Sequence, residues 1–172
     1  MSTDIRINPG FADAFAGHGG ENPDYDALRA ISDALVPFGN HAGVDITEIG
    51  PDRAVVELPA EPHLKNHMNT VHAGALFLAA DIAGAAAFVG AVATRLSTVE
   101  LLVLRDARAA FRKPAIGRIR AIATIDEREM RRILAATGNE RFEIDGKAAL
   151  YDDADVLVAK FTFDYVCTIA AN

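Results

Sequence analysis

Hydrophobic positions along the chain change period several times, and the changes mark its elements. After Asp24, residues Leu28, Ile31 and Leu35 recur at spacings of three and four, the mark of an amphipathic helix. Asp24, following Pro23, supplies an N-cap, and Pro37 is expected to end the helix near Val36. The period then falls to two. Val44 and Ile46, then Ala54, Val56 and Leu58, flank the turn-forming Gly50-Pro51-Asp52, predicting two antiparallel strands closed by Pro59 and Pro62. Residues 60–71 form a polar loop carrying His63, Lys65, Asn66, His67 and Asn69. From His72 to about Val92 the chain is alanine-rich: nine of the nineteen residues 73–91 are Ala, the best helix former. Leu76, Phe77, Leu78, Ile82, Phe88 and Val89 are scattered around that helix rather than gathered in one stripe, so it is expected to be buried on nearly all sides. Alternation then resumes over 103–112, 117–125, 141–151 and 156–169. In the last of these strands Phe161, Phe163, Tyr165 and Cys167 share one face, and Lys160, Thr162 and Asp164 the other. Residues 152–155 make a hairpin turn, and 126–136 a short charged helix or an extended connection.

The order helix, two strands, long helix, four strands predicts an α+β domain. An antiparallel sheet of about six strands wraps one central helix, and the N-terminal helix is an accessory. Residues 1–23, with Gly10, Gly17, Gly19 and Gly20, are expected to be a mobile or loosely packed arm, leaving 24–172 as a single domain. A sheet of this size leaves edges to be covered, and pairing with a second copy is a common remedy.

Composition narrows the function. At 172 residues, 51% hydrophobic and 24% charged, the chain is an ordinary globular one. Its formal charge of −7 provides no basic surplus for nucleic acid, although a few local cations can still hold an anionic substrate such as a CoA ester. Cys167 is the single cysteine, which excludes an intrachain disulfide, and on an apolar strand face it is expected to be a core residue. The first residues lack the basic and apolar runs of a signal peptide, making cytoplasm the expected compartment. Residues 73–94 are long enough to span a bilayer. However, their seven Leu, Ile, Phe and Val residues contribute only about −3 kcal/mol to insertion and Asp81 costs about +3. A buried helix of a soluble domain, with no membrane span, is the expectation.

Asp81 carries the chemical signal. It stands alone among 22 otherwise uncharged residues, and a buried carboxylate is costly unless it is solvated, partnered or put to use. The helix opens with Val71-His72-Ala73-Gly74, where backbone N–H groups lack intrahelical acceptors and face the positive end of the dipole, so they can hold a developing oxyanion. Ala73 and Asp81 are about 12 Å apart along a helix, while a reacting carbonyl needs polariser and attacking group each at about 3 Å. One chain's helix hardly supplies both, whereas two antiparallel helices meeting across a twofold axis do. His63, His67 and His72 lie in or beside the loop at spacings of four and five without a supporting pattern, so no metal site is expected.

The segment 66–77, Asn-His-Met-Asn-Thr-Val-His-Ala-Gly-Ala-Leu-Phe, with Ala80-Asp81, resembles the hotdog-fold acyl-CoA thioesterase superfamily, and within it the branch of phenylacetyl-CoA and medium-chain acyl-CoA thioesterases. That branch shows an Asn in the loop, then His-Gly-Gly, then an acidic residue on the central helix. Phe111-Arg112-Lys113-Pro114-Ala115-Ile116-Gly117 resembles its aromatic-x-x-Pro-Ala-x-Gly strand end, and the likeness covers about residues 40–168. The resemblance implies a hotdog fold and a thioester hydrolase needing no cofactor, assembled as a dimer or dimer of dimers. It implies Asp81 as nucleophile or general base, the Ala73 N–H as carbonyl polariser, and Asn66 positioning water or substrate from the opposite subunit. It further implies that His72 shapes the helix start and that His72 and Gly74 are substrate-binding residues. Arg112 and Lys113, at a strand end, are either solvated surface charges or contacts for CoA phosphates. Three positions depart from the pattern: Ala73 in place of Gly, Asn69 where Gly is common, and Leu104 where some members carry Ser or Thr. Ser97 and Thr98 could supply that hydroxyl only in a shifted register. A non-catalytic acyl-CoA or fatty-acyl binding protein on the same scaffold is the alternative.

Overall fold

A computed structural model describes residues 11–171. Its helices are α1 (Tyr25–Leu35), α2 (Pro37–Ala42), α3 (Ala73–Ala91) and α4 (Glu127–Ala135). Its strands are β1 (Asp45–Ile49), β2 (Ala54–Leu58), β3 (Val99–Phe111), β4 (Ile119–Ile125), β5 (Glu140–Tyr151) and β6 (Leu157–Ile169). All six strands pair antiparallel in the order β1-β2-β4-β5-β6-β3, and α3 crosses the inner face over β2, β4 and β5. This is the hotdog arrangement.

The long alternating strands form because every second residue meets the helix. Phe142, Ile144, Gly146, Ala148 and Leu150 of β5 and Phe161, Phe163, Tyr165, Cys167 and Ile169 of β6 are buried, while Glu143, Asp145, Lys147, Lys160 and Thr162 are exposed. Small residues let α3 sit close. A Cβ on Gly90 would run into the Gly50 carbonyl and come within 2.9 Å of Ile49 Cγ2, so this glycine fixes the approach of α3 to the β1–β2 turn. Of the described residues, α3 is the one helix long and apolar enough to cross a membrane, with 67% of its most apolar window buried inside the chain itself.

Several boundaries differ from the sequence expectation. Pro37 does not simply end a helix. It opens α2 at a position where its missing N–H costs nothing, with Gly43 closing α2 in the left-handed region. Leu35 is exposed, and the buried stripe of α1 runs through Leu28 and Ser32 instead. The third strand begins at Val99 rather than 103, preceded by a 3-10 segment, Ala93–Thr98. Residues 126–136 resolve as the helical alternative, with Asp126 accepting from the Arg128 and Glu129 N–H groups as N-cap. Of the expected loose arm, residues 1–10 lie outside the described residues. The remainder packs: Phe15 is buried, Phe11 meets Phe88 edge-on at 6.2 Å, and the Gly20 N–H donates to the Ala93 carbonyl.

The two sheet edges differ. At β1, Asp33 of α1 accepts from the Ile46 N–H at 2.8 Å and Arg29 donates to the Ile46 carbonyl at 3.1 Å, so α1 caps a five-residue strand. The other edge, β3, is thirteen residues long, and Leu101 and Val103 on it are exposed.

Candidate active site

The loop before α3 is organised by Asn66. Its side-chain oxygen accepts from the Met68 N–H at 2.9 Å and the Thr70 N–H at 3.2 Å, while its amide nitrogen donates to the Thr70 hydroxyl at 2.9 Å. Asn69 takes a positive φ of 61°, a conformation asparagine tolerates better than most residues, which is how the loop does without glycine there. The Val71 N–H donates to the Ala115 carbonyl and the His72 N–H to the Leu64 carbonyl, tying the loop to the segment after β3. His72 is the N-cap of α3, its Nδ1 accepting from the Gly74 N–H at 2.9 Å. The Gly74 donor is thereby occupied. Ala73 is exposed, and its N–H has no acceptor among the described residues.

Two turns along α3, Asp81 is half-buried and makes no hydrogen bond or ion pair with any described residue. Burial pushes its carboxyl above the ordinary carboxylate range. It lies on the flank of α3 turned to β6. Phe77, four residues earlier, packs edge-on against Phe161 at 5.6 Å, and Gly84, three residues later, lies against the rings of Phe163 and Tyr165. Beyond β6 comes the open edge, β3. On this flank Asp81 remains partly open to solvent within one chain. A concavity of about 660 Å³ lies elsewhere, on the outward sheet face among Asp145, Lys147, Thr162 and Asp164.

Arg112 and Lys113 are exposed, and both backbone N–H groups donate to the Val158 carbonyl, holding them three and two residues from Ala115 and hence beside the start of α3. Neither joins an ion pair among the described residues. Leu104 is half-buried and sits directly across from Tyr165. Ser97 and Thr98 lie beyond the opposite end of α3, where the Thr98 hydroxyl donates to the Arg95 carbonyl, so neither reaches the Asp81 flank. His63, His67 and His72 do not converge with other ligand types: no group of three metal-binding side chains forms among the described residues. Cys167 is buried in the core, which pushes its thiol up to about 12. Tyr165, which the alternation places on one strand face with Phe161 and Phe163, is buried with its hydroxyl against Gly84 of α3.

A family model described as a domain of unknown function (DUF4442) matches residues 26–166. The chain belongs to this family. No curated protein matches the DUF4442 chain by sequence. Among solved structures it is similar to a Pseudomonas aeruginosa protein of unknown function described as a probable thioesterase, at 22% identity and a TM-score of 0.70, covering 89% of this chain and 99% of that one. A Shewanella oneidensis protein related to the thioesterase superfamily matches at 21% identity and 0.63, covering 82% and 93%. The Escherichia coli PaaI protein of the phenylacetic acid degradation operon matches at 19% and 0.56, covering 76% and 83%. These likenesses establish the hotdog fold for this DUF4442 member, in agreement with the resemblance seen in its sequence.

Proposed function

We propose that this DUF4442 chain hydrolyses acyl-CoA or related thioesters at a site shared by two copies. The observation that carries the reading is Asp81: a half-buried, unpartnered carboxylate with a raised pKa, on the helix flank nearest the open sheet edge. A carboxyl raised toward neutrality is a better proton acceptor for water than an ordinary one. In the proposed reaction Asp81 removes a proton from water as its oxygen attacks the thioester carbonyl. The oxyanion is held by the unoccupied Ala73 N–H of the second copy's helix, since about 12 Å separates the two groups within one helix. The C–S bond then breaks, CoA leaves as the thiolate, and the proton passes to it. Asn66 shapes the loop beside the carbonyl, His72 and Gly74 set the helix start, and Arg112 and Lys113 lie where the CoA phosphates would run. Residues 24–172 act as one catalytic domain in this reading.

The second copy is assigned to β3. The β1 edge is capped by α1, leaving β3 as the long strand with an unpaired ladder and apolar side chains exposed.

The test is release of free thiol from acetyl-, hexanoyl-, palmitoyl-, benzoyl- and phenylacetyl-CoA by wild type and Asp81→Asn. Loss of about 100-fold or more in kcat for Asp81→Asn, with the fold retained, is expected of a general base. Saturable acyl-CoA binding without thiol release by the wild type would instead establish a binding protein.

A further inference from the structure

The inner face of β6 presents Phe161, Phe163 and Tyr165 to α3, and only the last carries a polar atom. Tyr165 is 1% exposed, and its hydroxyl has no hydrogen-bond partner. A buried, unsatisfied hydroxyl is a net cost that phenylalanine at the same place would avoid. The position of that hydroxyl is tightly defined. A Cβ on Gly84 would collide with it, and one on Gly146 of β5 would lie 3.1 Å from ring atom Cε2, so two glycines, one on the helix and one on the neighbouring strand, form the slot that admits the ring. Gly84 is three residues from Asp81, on the same flank of α3. A Cα–Cβ bond on a helix tilts toward the N-terminus, so the space over Gly84 is the space beside Asp81.

A donor without an acceptor therefore stands next to an acceptor without a donor. We propose that Tyr165 is the positioning residue of the Asp81 site, donating its hydroxyl hydrogen to the Asp81 carboxylate when that side chain turns toward β6, and so holding it ionised and oriented. The proposal rests on the reading of Asp81 as the reactive carboxylate. Burial, and secondarily the Asp81 charge, push the Tyr165 pKa upward, which keeps the phenol protonated and able to donate. Among the described residues, no other charge pairs with Asp81 from the elements packed on α3. The inward residues of β2, β4 and β5 are uncharged, and Cys167 of β6 is held neutral by burial. Arg29 and Asp33 of α1 are engaged by Ile46, and Arg95 donates to the Ile133 and Ala136 carbonyls. His41 of α2 is exposed.

Two measurements on the full chain test this. The Asp81 carboxyl is titrated directly by carbon-detected NMR in wild type and Tyr165→Phe, and the acid limb of the pH–rate profile for thiol release is recorded for both. Phenylalanine keeps the ring and its packing and removes only the donor. A hydrogen bond to a charged group is worth about 1.5–3 kcal/mol, so the Asp81 pKa is expected to rise by about 1–2 units in Tyr165→Phe, with the acid limb moving up equally. An Asp81 titration unchanged in a folded Tyr165→Phe variant overturns the proposal. If the wild type releases no thiol, the hydrolase reading fails, but the NMR titration still decides the role of Tyr165. Gly84→Ala provides a further check. It should displace the hydroxyl and destabilise the fold, and Tyr165→Phe in the same chain should restore part of the lost Tm because the colliding oxygen is gone. Absence of that rescue would overturn the slot geometry on which the proposal stands.

Discussion

In the proposed reaction, Asp81 is the residue at which stability and function pull in opposite directions. Its carboxyl is raised by burial, so over a range of pH the folded chain holds a proton that the unfolded chain has released. Below the ordinary aspartate value of about 3.9 both states are protonated and the penalty is absent. As pH rises through the folded value the penalty reaches its full size and stability falls. Asp81→Asn should therefore melt higher than wild type near neutral pH, and the two should converge below about pH 4 in calorimetric scans. A lower Tm for Asp81→Asn at neutral pH would mean that a hydrogen bond to the carboxylate, such as that proposed from Tyr165, outweighs the cost of its burial. Asp81 itself was legible in the sequence because a lone charge in an alanine-rich helix is conspicuous. The capping role of His72 Nδ1 and the multiple bonds of Asn66 were not, since both depend on loop dihedrals such as that of Asn69.

Among the elements, those whose period was long and regular were readable: α3, β5 and β6 fall within a few residues of expectation because each alternates or repeats against one continuous partner. Short elements set by local backbone chemistry were harder. Proline at 37 breaks one helix and starts the next, and the start of β3 is masked because Leu101 and Val103 are apolar yet exposed. The close approach of α3 to the β1–β2 turn is equally invisible in a period, since it rests on Gly90 lacking a side chain. Gly90→Ala gains helix propensity of up to about 1 kcal/mol but forces a methyl into the Gly50 carbonyl. Overpacking of this kind costs about 1–3 kcal/mol, so a net loss in chemical denaturation midpoint is expected despite the better helix former. An unchanged or higher midpoint would show that the turn can move aside.

At the scale of the whole molecule, six strands around one helix followed from the order of elements, while the difference between the two edges did not. It took the side chains of Arg29 and Asp33 to show that β1 is capped and β3 open. In a twofold antiparallel pairing along β3 residues on either side of the axis face one another across it, so Leu101→Lys with Val103→Lys brings like charges together at the joined edges. Light scattering is expected to give about twice the 18.3 kDa chain mass for the wild type and the single-chain mass for the double variant. A wild type that scatters as a single chain would remove the basis for a shared site. In the proposed assembly, an edge that both joins the copies and completes the pocket would also tie catalysis to mass action. Diluted below the dissociation constant of the pair, the protein would lose specific activity and melt earlier together, and concentrating it would restore both.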